Sequence, residues 1–357
     1  MKKLALDSKF ACSGDIHLYD REIGVTVNYP QESTKNLRKL SDRFLYSTNS
    51  FMVLGGDIQH ALPTNLEYMS EWRDILTSMR DESYKRLCET GLIDELVVYD
   101  MDDNVLNLHN GETSCLFSVK GNHDYNRRTT REKSFTFFDD LVKSKIIATP
   151  KRIVLNQTEI HFYHNGSWDK PYPLLDGTQA VIGIYHDAIL KDGVILDNSL
   201  GKMINPIQAG IFANIDLAII NDIHMPIKPY TVETPRAGNA PMLTEVVTHG
   251  SIGRTAYNAS HKRDIAYLTE IQVTENNDIT YDLVELPLTP YKDLFDYEKV
   301  VIVKHRENMF EDLKLEVEKL QIVRHDPREE IKKMPIDENI KDTCINLIDD
   351  YISTRKN

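Results

Sequence analysis

The chain has 357 residues, enough for one large domain and a smaller appendage, since single cores rarely exceed about 300 residues. Its 41% hydrophobic and 27% charged residues are ordinary for a soluble globular protein, and no run approaches the roughly 20 apolar residues of a membrane helix. A formal charge of −13 speaks against a protein that simply coats DNA, because such binding comes from Lys and Arg neutralising phosphates. The objection is partial: several carboxylates are candidate metal ligands, and bound cations reverse the local field.

The N-terminal stretch opens on Lys2 and Lys3, but Asp7, Ser8 and Lys9 break its apolar positions, so it reads as a first strand rather than a secretion signal. Residues 9–13 form that strand and lead into GDIH, residues 51–54 lead into GGDIQH, and residues 115–119 lead into KGNHD. Each short β-prone run stops at Gly followed by potential ligands, as in enzymes that place chemistry at strand ends. Residues 33–46 and 65–90 carry Leu, Met, Arg and Glu at helical spacing and complete a βαβ start. Residues 91–113 are acidic and polar and read as a hairpin or loop inserted before the third strand.

Beyond residue 150 the chain turns strand-rich, with β-branched or aromatic runs at 152–155, 159–163, 181–185, 216–220, 243–247, 266–273 and 279–285. Together they suggest a second sheet packing on the first, with a hairpin turn at Asn276 to Asp278. After LPLTPY, Phe310, Leu313, Val317 and Leu320 recur at helical spacing, as do Ile340, Cys344, Leu347, Ile348 and Tyr351. A large domain over 1–286 and a small α+β tail domain over 287–357 are therefore expected. Cys12, Cys88, Cys115 and Cys344 are scattered without a CxxC pair, which suggests reduced thiols in a cytoplasmic protein and no structural zinc.

The strand ends hold the chemistry. Asp15 and His17 stand two residues apart and can turn towards one cation; Asp57, on a Gly-rich turn, offers a carboxylate able to bridge two ions. Asn122 adds an amide oxygen and His123 an imidazole, with Asp124 placed to orient that ring. His186 ends one apolar run, and Asp222 and His224 follow another.

This order of DxH, GGD, GNHD, His and a final xxH resembles the calcineurin-like metallophosphoesterase superfamily over residues 9–286. Within it the chain is similar to the SbcD/Mre-type DNA-repair nuclease subunits. His60, three residues after Asp57, matches the GDxxH motif, residues 249–258 resemble a Gly-Ser-x-x-Arg segment, and residues 285–291 resemble the junction to a capping domain. The resemblance implies a four-layer α/β fold of two packed mixed sheets flanked by helices, with a small C-terminal α+β capping domain. It implies Asp15, His17 and His224 on one metal, Asp57 bridging, Asn122 and His186 on the second, and His123 and His60 handling the phosphate. Asp222 stands where the family usually has a ligand histidine, and a carboxylate there suits a hard ion such as Mn²⁺.

The implied activity is Mn²⁺-dependent DNA exonuclease and endonuclease action, with Mg²⁺ or Fe²⁺ as alternative ions. The implied partners are DNA ends, hairpins or single strands, an SbcC/Rad-type ATPase, and a second copy of the chain, with no membrane. Two other readings share these residues: a phosphodiesterase or phosphatase acting on a nucleotide or phosphoprotein, and a scaffold that keeps the fold without catalysis. Arg127, Arg128, Arg131 and Lys133 could meet a DNA backbone or form a solvated loop, whereas Lys35, Arg38, Lys39 and Arg43 read as surface charges on a helix. His109, His161, His164 and His261 carry no motif, and His249 could approach the site from a neighbouring loop.

Overall fold

The computed structural model describes residues 8–23, 26–111, 113–125, 135–167, 171–190, 205–206, 210–236, 241–255, 263–296, 298–301 and 327–354. The chain divides into two units, Met1–Asp296 and Tyr297–Asn357. In chain order the first contains β1 (Ser8–Ser13), α1 (Tyr29–Leu45), β2 (Phe51–Leu54), α2 (Leu66–Thr90), β3 (Leu96–Tyr99), β4 (Val105–Leu106), β5 (Leu116–Ser118) and α3 (Phe137–Lys143). There follow β6 (Arg152–Leu155), β7 (Thr158–Tyr163), β8 (Ala180–His186), β9 (Ile189–Leu190), β10 (Asn205–Pro206), β11 (Leu217–Asn221), β12 (Ile227–Thr234), β13 (Met242–Thr248), β14 (Ile265–Val273), β15 (Ile279–Pro287) and the short α4 (Tyr291–Leu294).

Two mixed sheets result, a five-stranded one ordered β15-β14-β1-β2-β5 and an eight-stranded one ordered β12-β13-β11-β8-β7-β6-β3-β4. They pack face to face, because the strands that alternate in sequence bury both faces. Phe10, Phe51, Phe117 and Phe162 point into the inter-sheet core with Ile182, Ile219 and Val247. Phe10 stacks on Phe51 at 4.8 Å, and truncating a ring in such a core costs about 3–5 kcal/mol. The intervening residues Ala11, Met52, Leu54 and Leu116 face outwards onto Leu37, Leu40 and Phe44 of α1 and Trp72, Leu76 and Met79 of α2. The Asn65 side chain caps α2 by accepting from the Glu67 and Tyr68 amides, and Gly91 at φ 73° ends it.

The outer face of the second sheet, with Tyr163, Tyr185, Ala218 and Ile220, is covered among the described residues by turn residues such as Ile211 and Phe212. The α/β class with two packed mixed sheets and helices agrees with the sequence reading; the assignment of strands to sheets does not. β14 and β15 return to the first sheet, β14 lying antiparallel to β1. The 91–113 interval supplies β3 and β4, which extend the second sheet beyond β6. Tertiary pairing, not local pattern, chooses between two sheets that both accept apolar strands. β12 escaped the sequence reading because Pro229 interrupts it; it lies at a sheet edge, where a missing donor is tolerated.

In the second unit the helices Pro327–Lys333 and Glu338–Thr354 pack on one another, joined by an Arg328–Asp349 ion pair of 2.7 Å. Phe310, Leu313, Val317 and Leu320 lie outside the described residues, as do Arg127, Arg128, Arg131, Lys133 and His261. The four cysteines are free thiols. Among the described residues no helix is long and apolar enough to cross a membrane.

Candidate metal centre

β1, β2 and β5 run parallel in the first sheet, and β7, β8, β11 and β13 run parallel in the second. In such sheets ligands collect beyond the carboxyl ends of the strands, and the candidate metal ligands named from the sequence lie there. Asp15 and His17 follow β1, Asp57 follows β2, Asn122 and His123 follow β5, His186 ends β8, and Asp222 and His224 follow β11. Three of these residues, His17 (φ 54°), Asp57 (φ 42°) and Asp222 (φ 71°), hold left-handed backbone conformations. Such conformations cost about 1–3 kcal/mol each, and they turn the side chains back over the strand ends.

The loops also approach one another closely. The His17 amide donates to the Asp57 carbonyl at 2.9 Å, and the His60 amide donates to Leu18 at 2.9 Å. A Cβ at Gly56 would strike the His186 ring, and one at Gly121 would strike Asp57, so both positions admit only glycine.

Two groups of ligand-type atoms result, each within 4.8 Å: Asp15, His17 and His224 in one, Asp57, His186 and Asp222 in the other. In the first, His17 Nε2 lies 3.1 Å from His224 Nε2, and His224 Nε2 lies 3.6 Å from Asp15 Oδ2. A shared proton or a shared cation holds two imidazole nitrogens at that spacing. In the second, His186 donates Nδ1–H to the Gly55 carbonyl at 2.7 Å, which leaves Nε2 facing Asp57 Oδ1 at 3.4 Å and Asp222 Oδ1 at 3.9 Å. The Asn122 amide donates to Asp222 Oδ1 at 3.0 Å, leaving its own carbonyl oxygen for another partner.

The electrostatics show what the centre needs. Burial pushes the Asp15 carboxyl well above the usual carboxylate range against the pull of His186, with repulsion from Asp57 and Asp222 adding to the rise. Burial likewise lifts Asp222 to about 6 and, with Asp57 nearby, Asp124 to about 8. Asp57 stays low, because His186 and His123 outweigh its burial. His186 is raised despite its burial, by Asp57 and Asp15; a proton there occupies the role of a cation. Burial depresses His60 and His224 to about 4, so both are neutral, ligand-competent imidazoles at neutral pH. Asp15 Oδ2, Asp57 Oδ2 and His186 Nε2 are buried without hydrogen-bond partners. Buried polar atoms are almost always satisfied, so three convergent exceptions in a carboxylate-rich cluster fit divalent ions.

His123 sits on the rim, its amide donating to Asp57 Oδ1 at 2.7 Å and its ring Nδ1–H to the His60 carbonyl at 2.5 Å. The His60 and His123 rings stack at 4.9 Å, and both join His17 in a third cluster of ligand-type atoms. The expected orientation of His123 by Asp124 is not what the structure shows. The Asp124 carboxylate turns inward and accepts from the Gly121 amide at 2.9 Å and the Gln59 amide at 3.3 Å, so the His60 carbonyl orients the ring instead.

Several supporting residues surround these groups. Gln59 is buried, donates Nε2–H to the His123 carbonyl at 3.1 Å and accepts from the Phe137 amide at 3.1 Å. His249 does not face the ligand groups; it bonds Thr269 Oγ1 at 2.7 Å and Asn221 Oδ1 at 3.0 Å, and Asn221 in turn holds the Tyr185 carbonyl. The segment after it backs the Asp15 loop: the Ile252 and Gly253 amides donate to the Asp15 carbonyl, and Arg254 pairs with buried Glu32 at 2.6 Å. Arg263 donates to the His224 carbonyl at 2.6 Å. His164 accepts from the Lys120 amide at 2.9 Å, just before Gly121. His249 was expected to approach the site from a neighbouring loop and instead supports it from behind; the partners of Gln59, Arg263 and His164 needed the third dimension. Lys35, Arg38, Lys39 and Arg43 are surface groups that tie α1 to Thr289, Glu71, Pro287 and Glu270.

No protein-family model and no curated protein matches this sequence. Among solved structures the chain is similar to the NAD nucleotidase NadN of Haemophilus influenzae, at 10% identity and a TM-score of 0.33, over 79% of this chain and 56% of that one. The chain thus spans little more than half the length of that protein, and the reading of the centre rests on its own residues.

Proposed function

We propose that this chain is a two-metal phosphoesterase and, within that class, a DNA nuclease of the SbcD/Mre kind. The observation that carries the proposal is the juxtaposition of the Asp15–His17–His224 and Asp57–His186–Asp222 groups with the His60–His123 pair beside them. Divalent ions held there, Mn²⁺ first and Mg²⁺ or Fe²⁺ as alternatives, would activate water and neutralise charge on a phosphodiester. The chain's own residues do the rest. Asp57 offers its partnerless Oδ2 to the centre while its Oδ1 fixes the His123 backbone. With Nδ1 committed to the His60 carbonyl, His123 has Nε2 for the leaving oxygen, and such acid-base help is typically worth about 10²–10⁴ in rate.

The nuclease reading draws on His60, whose ring stands with His17 and His123 as a GDxxH histidine would. DNA ends, hairpins or single strands as substrates, an SbcC/Rad-type ATPase partner, a homodimer and a cytoplasmic site of action belong to the same reading. A second reading, hydrolysis of a nucleotide or phosphoprotein, is favoured by the net charge of −13, because a small phosphoester needs none of the Lys and Arg contacts that hold a duplex.

The test offers Mn²⁺-loaded protein linear duplex, single-stranded and hairpin DNA, a cyclic nucleotide and p-nitrophenyl phosphate. Preferential cleavage at DNA ends or hairpins is expected, with kcat about 10²–10⁴ lower in His123→Ala at unchanged Mn²⁺ binding. Preference for the small esters would replace the nuclease reading by the second one, and inertness towards all five would end both.

A further inference from the structure

A chain of planar groups runs outward from the candidate metal centre. The His123 and His60 rings stack at 4.9 Å, the Tyr19 ring meets His60 at 5.6 Å and 61°, and the Arg21 guanidinium lies over the Tyr19 ring at 5.7 Å. The turn that carries Tyr19 and Arg21 is fixed by the residue between them. The buried Asp20 carboxylate accepts from the Thr64 and Asn65 amides at 2.5 Å each, and Arg21 itself donates to Thr64 Oγ1 at 3.1 Å. The Arg21 side chain is 55% exposed, and Leu62 and Leu66, on either side of Thr64, are 46% and 78% exposed. The result is a pre-set, partly apolar surface that ends in a flat cation beside His60 and His123. Among the described residues, the groups of ligand-type atoms include neither Tyr19 nor Arg21.

One class of ligand suits such a surface. Nucleobases stack on aromatic rings and on guanidinium planes, and they do so whatever the sequence, because every base has a π-face. A phosphate alone would use the charge of Arg21 but neither the Tyr19 ring nor the two leucines. The bases of a duplex are already stacked on their neighbours, so only an unpaired base has a free face to offer. Stacking also needs no phosphate neutralisation, which lets a chain with a net charge of −13 hold a nucleotide without a basic groove.

We infer that Tyr19 and Arg21 form a stacking platform for an unpaired nucleobase, that of the nucleotide next to the phosphoester at the centre. The inference rests on the phosphoesterase reading and names the part of the substrate held outside the metal centre. Mn²⁺-loaded full-length protein is offered thymidine 5′-(p-nitrophenyl phosphate) and methyl p-nitrophenyl phosphate, which share a leaving group and differ in the base. Wild type should favour the thymidine ester in kcat/KM by roughly five- to hundredfold, the contribution of one stacked base. Tyr19→Ala and Arg21→Ala should each bring that ratio close to one, with the change mainly in KM. Tyr19→Phe should keep the ratio, and Arg21→Lys, which keeps the charge but not the plane, should lose it. An equal loss on both esters, or a ratio indifferent to both residues, would overturn the platform and leave the phosphoesterase standing. Hydrolysis of neither ester would overturn the phosphoesterase reading instead. In that event fluorescence anisotropy decides, with Ca²⁺ in place of Mn²⁺, on a short oligothymidylate and its abasic counterpart. Tighter binding of the oligothymidylate that Arg21→Ala abolishes would support the platform, and equal binding of the two would overturn it.

Discussion

Glu159 on β7 and Asp57 after β2 are both carboxylates with 0% exposure, yet the fold treats them in opposite ways. Glu159 receives Arg152 at 2.9 Å, His161 at 2.8 Å, the Leu175 amide at 2.8 Å and the Thr178 hydroxyl, so both of its oxygens are taken. Burial alone would raise its pKa; the bonds from His161, Thr178 and Leu175 hold it down at about 2. Asp57 receives one amide at 2.7 Å and keeps an oxygen with no partner, beside Asp15, which is left in the same state. A buried carboxylate that folding has satisfied belongs to the architecture. One that folding has left open, beside others like it, is a candidate ligand for a cation.

The contrast can be broken experimentally, most severely at Asp57. Asp57→Ala should reduce metal-dependent phosphoester hydrolysis to background and abolish any rise in Tm on adding Mn²⁺, while the metal-free protein still unfolds cooperatively by circular dichroism. Retained activity would show that the open carboxylates are not ligands. Glu159→Gln should do the reverse, costing about 3 kcal/mol of stability in urea titrations while leaving specific activity intact, because it breaks a buried charge network. The sign with pH follows from the lowered value. The contribution of Glu159 is complete above its unfolded pKa of 4.5 and is lost as pH falls towards about 2, so the deficit of the variant should shrink on acidification.

Metal addition sharpens the comparison at a somewhat smaller scale. At a hundred times its Kd an ion should stabilise wild type by about 2.7 kcal/mol, and equally so in Glu159→Gln. The smallest effect is expected at Asp15. Its folded-state pKa is raised, so its charge disfavours the folded state increasingly as pH rises above 3.8. Asp15→Asn should therefore stabilise the metal-free protein at pH 7 by about 1 kcal/mol, and calorimetry showing a loss instead would mean the carboxylate already has its counter-charge.

Much of the centre was legible in the sequence because strand ends announce themselves: an apolar run, a Gly, then Asp, Asn or His. That pattern located Asp15, His17, Asp57, Asn122 and His123, the ends of two further apolar runs and the family resemblance added His186, Asp222 and His224, and the folded chain brings all eight to the carboxyl ends of parallel strands. It misjudged Asp124, because adjacency to His123 suggested a bond that the inward-turned carboxylate spends on Gly121 and Gln59. It passed over Gln59 and Arg263, whose partners lie 64 and 39 residues away.

Local order in the chain thus determined which residues carry chemistry and where strands and helices begin, since hydrophobic period and Gly punctuation act over a few residues. Sheet membership was decided only in three dimensions, where β14 and β15 turned back to β1 and the 91–113 interval joined β6. So were the partners of Asp124, Gln59 and Arg263, because long-range pairing and the exclusion of water set which groups meet, and neither leaves a local trace in sequence.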